Sequence, residues 1–170
     1  MGIGNMTLDD ALAKGRHDFA CTDKPANSTL VISHDKRKKI NRERNVQQRP
    51  SDAVFIRAPK VIAQGNAPQN MWIWKGLRLI GAGGKCLKGV FFEVESCDNE
   101  TVCLTSGQSL SHDEAVKCLR LSSAICYASA QGLTLQGIVR LEDTSNKHFT
   151  LRHLYVGASR CASCFLLEVT

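Results

Sequence analysis

The chain has 170 residues, 43% of them hydrophobic, and a formal net charge of +6. That length suits one domain, or one domain carrying a small insertion, with enough apolar material for a core. No run approaches 18 apolar residues, and the first 15 residues lack an apolar segment, so neither a transmembrane helix nor a secretory signal is expected. The basic surplus lies in residues 1–60, with 12 Lys/Arg against 7 Asp/Glu, while residues 61–170 carry 10 against 9. Its densest part is Lys36-Arg37-Lys38-Lys39 with Arg42, Arg44 and Arg49. Such a cluster suits phosphates, a solvated helix face or a localisation signal about equally.

In chain order, residues 6–19 read as a helix with Thr7 as N-cap and Leu8, Ala11 and Leu12 at helical spacing. Residues 29–32 form a short buried strand, and 35–46 a polar helix with little apolar content, ended by Pro50 and Ser51. From 53 to 106 short apolar runs (53–57, 71–74, 77–80, 90–94 and 101–104) are punctuated by Gly76, Gly81, Gly83, Gly84, Gly89 and Asp98-Asn99. This texture predicts a small antiparallel β unit, a barrel being one form of it. Beyond Asp113, strands at 121–127, 137–141 and 165–169 alternate with a turn at Gln131-Gly132 and an amphipathic helix at 149–160. Leu151, Leu154, Tyr155 and Ala158 would be that helix's apolar face. The whole reads as an α/β domain, a parallel sheet with helices, interrupted by the β unit after its first strand.

Eight cysteines without a secretory signal indicate reduced thiols in an intracellular protein, nuclear if the source is a eukaryote. Cys161-Ala162-Ser163-Cys164 is a lone CxxC, and zinc usually needs two such pairs, so a packing role is expected and no metal site. The five histidines are scattered, and no Ser/His/Asp order is legible.

Two segments carry more specific chemistry. Leu154-Tyr155-Val156-Gly157-Ala158-Ser159-Arg160 resembles motif VI of superfamily-1 helicases of the RecD/Pif type, usually LYVALSR. The resemblance implies that Arg160 is an arginine finger reaching the γ-phosphate of ATP, a planar, permanently charged fork set against a transferring phosphoryl group. Residues 124–135, with Gln131, Gly132, Thr134 and Leu135 matching, resemble motif V, usually AITVHKSQGxTL. That places Gln131 and Gly132 at the nucleotide cleft, where a glycine turn lets backbone N–H groups approach an anion. The residues just before them would face nucleic acid, but Cys126 and Ala128-Ser129-Ala130 replace the usual Thr and His-Lys-Ser. Residues 30–41 resemble motif IV, with Arg37 and Asn41 sharing a helix face at the cleft or the nucleic acid.

In that helicase type a small barrel of the Src-homology-3 kind lies between motifs IV and V, where residues 53–110 fall here. The implied organisation is 1–52 and 111–170 as two parts of a RecA-like motor domain, with 53–110 inserted. Trp72 and Trp74 fit either base stacking or the core of that barrel. Ser129, Thr134, Lys36 and Trp74 are therefore the candidate nucleic-acid contacts, and Arg160, Gln131, Gly132 and Arg37 the candidate nucleotide contacts. No G-x-x-x-x-G-K-[ST] occurs, because in Gly81-Ala82-Gly83-Gly84-Lys85-Cys86 the lysine precedes a cysteine; Asp113-Glu114 follows no apolar strand. The resemblance thus implies half of a motor. ATP and Mg2+ would be held together with a Walker-A domain supplied in cis or in trans, and single-stranded DNA, or RNA, would be the track. The alternatives are a stand-alone nucleic-acid-binding module and an inactive fragment derived from a helicase.

Overall fold

The computed structural model describes residues 6–59 and 65–170. They form two compact units, one of residues 6–33 and 123–170, the other of residues 34–122.

The first unit is α/β. Helix α1 (Leu8–Asp18) starts at Thr7, whose hydroxyl accepts from the Asp10 N–H while the Asp10 carboxylate accepts from the Thr7 N–H. This reciprocal cap satisfies two otherwise orphaned donors. Strands β1 (Ser28–Val31), β9 (Ala124–Cys126), β10 (Val139–Leu141) and β11 (Leu167–Val169) make an all-parallel sheet in the order β11-β10-β1-β9. Nearly every residue in these strands is buried, as expected when both faces of a parallel sheet are covered. Arg140 and Glu168 are register partners on β10 and β11 and form an ion pair at 2.7 Å. Burial works to raise the Glu168 pKa, but hydrogen bonds from Thr22 and Arg140 outweigh it and hold the carboxyl below its ordinary value.

The second unit holds helix α2 (His34–Gln48), the two-stranded sheet of β2 (Val54–Ile56) and β3 (Met71–Ile73), and a five-stranded antiparallel sheet. The latter contains β4 (Arg78–Gly81), β5 (Phe91–Cys97), β6 (Thr101–Leu104), β7 (Ser109–Ser111) and β8 (Leu119–Leu121) in the order β7-β6-β5-β4-β8, with β7 and β8 as its edges. Helix α3 (His112–Cys118) joins those two edges. Ile56, Met71, Ile73, Leu79, Val94 and Leu104 are among the residues of its apolar core. Residues 121–127, expected as one strand, end β8 in the antiparallel sheet and then begin β9 in the parallel one.

Two apparent nucleotide motifs have structural roles here. Gly83 and Gly84 have φ of 123° and 68° and form a tight turn closed by a bridge between Gly83 and Cys86. Lys85 pairs with Glu114 at 2.6 Å, and Glu114 also caps α3 by accepting from the Ser111 N–H.

The buried face of α2 is polar: Arg37, Asn41 and Asn45 at i, i+4 and i+8. Arg37 donates to the Ala67 carbonyl and Asn41 to the Leu121 carbonyl. Asn45 both donates to the Trp72 carbonyl and accepts from the Trp72 N–H, at 2.8 and 2.7 Å. The helix docks by completing backbone hydrogen bonds of its neighbours, so its scant apolar content is no obstacle. Replacing Asn45 with Ala should destabilise the protein by about 1–3 kcal/mol, because two partly buried backbone groups lose their partner. A urea-unfolding loss under about 0.5 kcal/mol would mean that this contact does not hold α2.

Candidate functional site

The site is built where β9 ends. After Cys126 the chain makes a single helical turn, α4 (Tyr127–Ala130), then Gln131 and Gly132. Gly132 has φ +82°, a left-handed conformation that glycine adopts without strain, and open space surrounds it. Gln131 and Thr134 are exposed and Ser129 is half-buried.

Helix α5 (Leu151–Arg160) meets this turn at its C-terminal end. The Leu135 N–H donates to the Arg160 carbonyl at 2.8 Å, and the Ala162 N–H to the Leu135 carbonyl at 3.2 Å, as in a parallel bridge between Leu135 and Cys161. Arg160 Nη1 donates to the Leu133 carbonyl at 3.2 Å, while Nε and Nη2 reach Ser159 Oγ at 3.3 and 3.1 Å. Ser159 in turn donates to the Val156 carbonyl. The two motif-like segments are therefore stitched together, with the Arg160 guanidinium half-buried and braced beside the Gln131-Gly132 turn.

The face of α5 that packs is not the one its apolar spacing predicts. Leu151 is 49% and Tyr155 72% exposed, and Ala158 is exposed too. The one fully buried residue of the helix is Gly157, against β10. A Cβ there would lie 2.5 and 2.8 Å from the two methyl carbons of Leu141, itself wholly buried. Close approach of the helix backbone selected this position, and a glycine gives no hydrophobic signal.

At its other end α5 borders a cleft of about 280 Å³, lined by Tyr127, Ala128, Gln131, Arg152, His153 and Val156. His153 Nδ1 accepts from the Thr150 N–H at 3.1 Å, and its ring packs edge-on to Tyr127 at 5.3 Å. Burial and the nearby Arg152 lower its pKa, which favours the neutral ring that this hydrogen bond requires. Burial also pushes the Tyr127 phenol well up, and its hydroxyl donates to the Glu142 carbonyl. Sequence reasoning passed over Arg152 and His153 as cleft residues. Their signal was a basic pair in the first turn of the motif-bearing helix.

The remaining candidates lie in the second unit. Arg37 is 3% exposed and is used in the docking of α2, so its guanidinium does not face solvent. Lys36 and Trp74 are half-buried. Trp72 packs on Phe55 at 5.0 Å, under the Arg49 guanidinium at 4.4 Å. Among the described residues no group of three or more His, Cys, Asp or Glu is placed to hold a metal ion, and no helix is long and apolar enough to cross a membrane.

Replacing Gly157 with Ala should destabilise the first unit by about 1–3 kcal/mol, because the added methyl overpacks a filled core. Helix propensity alone favours Ala by about 1 kcal/mol. A raised Tm would show that α5 does not need the close approach.

No protein-family model matches the chain, and no curated protein sequence is similar to it. Solved structures do match. Pif1 helicase from Candida albicans aligns with 95% of this chain and 49% of its own, at 17% identity and a TM-score of 0.61. A structure of two coordinating Pif1 helicases at forked double-stranded DNA aligns with 94% and 42%, at 17% identity and 0.62. Bacteroides Pif1 bound to single-stranded DNA aligns with 95% and 44%, at 18% identity and 0.57. The chain spans under half the length of each of these proteins. Its fold, a parallel sheet with helices joined to an antiparallel β unit, is the one it shares with part of the Pif1 helicases.

Proposed function

We propose that the chain supplies the second motor domain of an ATP-dependent DNA helicase. The supporting observation is the union of Arg160 with the Gln131-Gly132 turn, through the Leu133 carbonyl and the Leu135 bridge. An arginine that must meet charge on a transferring phosphoryl group works best when already oriented, because little reorganisation is then needed. Arg160 has that bracing, and the exposed Gly132 turn leaves backbone room beside it for an anion. These residues fit the edge of a nucleotide site. Among the described residues no group of three or more His, Cys, Asp or Glu stands beside them. In this reading Gln131, Gly132 and Arg160 contact ATP, and the metal ligands and phosphate cradle come from a Walker-A domain in cis or in trans.

Pif1 from Bacteroides has been solved with ADP-AlF3 and single-stranded DNA, at a TM-score of 0.57 to this chain. We carry both ligands to this chain as part of the proposal. Ser129, Thr134, Lys36 and Trp74 would border the nucleic acid, and the unit of residues 34–122 would stand where that helicase type carries its inserted small barrel. Arg37 is assigned to the docking of α2 instead of to nucleotide, on the strength of its burial.

By itself the chain should not turn over ATP. Mixed with a candidate first motor domain, it should support DNA-stimulated hydrolysis, and Arg160→Ala should lower kcat by about 10³-fold or more while nucleotide binding persists. Hydrolysis that survives the change, with the fold intact by thermal melting, would contradict the finger assignment. The second reading, a stand-alone nucleic-acid-binding module, draws on the basic face of α2. It predicts binding of single-stranded DNA with no partner domain and no gain of ATP turnover on mixing.

A further inference from the structure

Helix α5 has no acidic residue in its first turn. Its N-cap is Thr150, extended at φ −134° and ψ 167°, and its third residue is His153. A Ser or Thr cap followed three places later by Glu or Gln commonly closes a helix start, the longer side chain accepting from the cap N–H. Here a histidine holds that place. His153 Nδ1 accepts from the Thr150 N–H at 3.1 Å and lies 2.9 Å from Thr150 Oγ1. The caps of α1 and α3 are closed in the same way by carboxylates, those of Asp10 and Glu114. A carboxylate goes on accepting through neutral and weakly acidic pH. An imidazole nitrogen accepts only while it is unprotonated.

The ring is also a packing element. His153 meets Tyr127 at 5.3 Å and Phe149 at 5.5 Å, and those two rings meet each other at 5.6 Å. Tyr127 and Phe149 are buried, and His153 is half-buried. The cluster ties the start of α5 to α4, and Tyr127 and His153 both line the cleft between these helices.

Proton uptake by His153 acts against these contacts in three ways. Both ring nitrogens become donors, so the Thr150 N–H loses its acceptor. The new charge stands at the positive end of a helix, beside Arg152. It is also held partly out of water by the two buried rings. Attraction of an imidazolium to the faces of those rings works the other way, one effect against three. Burial first and Arg152 second hold the His153 pKa below its ordinary value. Arg152 is the charged side chain that acts on the ring from its own helix. Tyr127 packs on it from α4, with its phenol pushed well up by burial and therefore neutral.

We propose that His153 is a proton-operated cap of α5: the neutral ring closes the start of the helix on Thr150, and the protonated ring releases it and loosens the wall of the α4–α5 cleft. The inference stands on α4 and α5 alone and involves no nucleotide, so it does not depend on the finger assignment. Its sign follows from the lowered folded-state pKa. The unfolded chain takes up the proton first as the pH falls. Stabilisation by the cap is therefore whole above the ordinary value of about 6.5 and is lost as pH falls through the folded value.

The test follows the whole chain by NMR and by thermal melting between about pH 8 and about pH 5. The His153 ring should titrate with a midpoint below about 6.5, and the Thr150 amide signal should shift with that same midpoint. His153→Gln keeps an acceptor at the cap but cannot titrate. Over the same range the wild type should lose about 2–4 °C more in Tm than His153→Gln does. His34, whose pKa is also lowered, is present in both proteins, so its share cancels in the difference. A His153 midpoint at or above about 6.5, a Thr150 amide that does not follow the ring, or equal losses of Tm in the two proteins would overturn the proposal.

Discussion

The candidate site depends on one clamp, the joining of the 131–135 turn to the end of α5. The Leu135 amide and carbonyl are both taken by the chain around Arg160, and the Arg160 side chain returns to the Leu133 carbonyl. Without these bonds the arginine would be a long, freely rotating cation at a helix end. With them, it loses most of that freedom on folding, and a later encounter with an anion need not remove it. The clamp in turn requires α5 to lie close on β10, and that closeness is set by the missing side chain at Gly157. Sequence, packing and site are linked in that order: a glycine permits the approach, the approach sets the helix end, and the helix end fixes the guanidinium.

A different device organises the second unit. Helix α2 has no apolar stripe with which to bury a face, and its docking residues are one arginine and two asparagines spaced four apart. Each supplies a hydrogen bond to a neighbouring backbone. Such contacts add modest net stability but are costly to leave incomplete, so they favour one register of helix against strand. The arrangement also leaves Lys39 and Arg42 to the solvent side.

Much of this was legible in the residues. Thr7 before Leu8, Ala11 and Leu12 marked the start of α1, and short apolar runs between turn residues marked β2 through β6. The Gln131-Gly132 turn and the Arg160 run were readable as a pair because their chemistry is local. Three features were hidden for physical reasons. The division between β8 and β9 falls within a continuous apolar run, interrupted only by Ser122-Ser123, which carries no turn signal. The packed face of α5 was misassigned because hydrophobic periodicity weighs Leu151 and Tyr155 and is blind to Gly157. The docking role of Arg37 was invisible because a buried arginine and an exposed one look alike until the carbonyl it meets, 30 residues away, is in place.

The Arg160 end of α5 is proposed above as half of a nucleotide site. The most direct measurement is amide hydrogen exchange at residues 131–135 and 158–162, in the chain mixed with a candidate Walker-A domain, with and without ADP and aluminium fluoride. Slowed exchange in both segments is expected only when the partner and the phosphoryl mimic are present together. Unchanged exchange there, while the partner demonstrably binds this chain and the nucleotide, would contradict it.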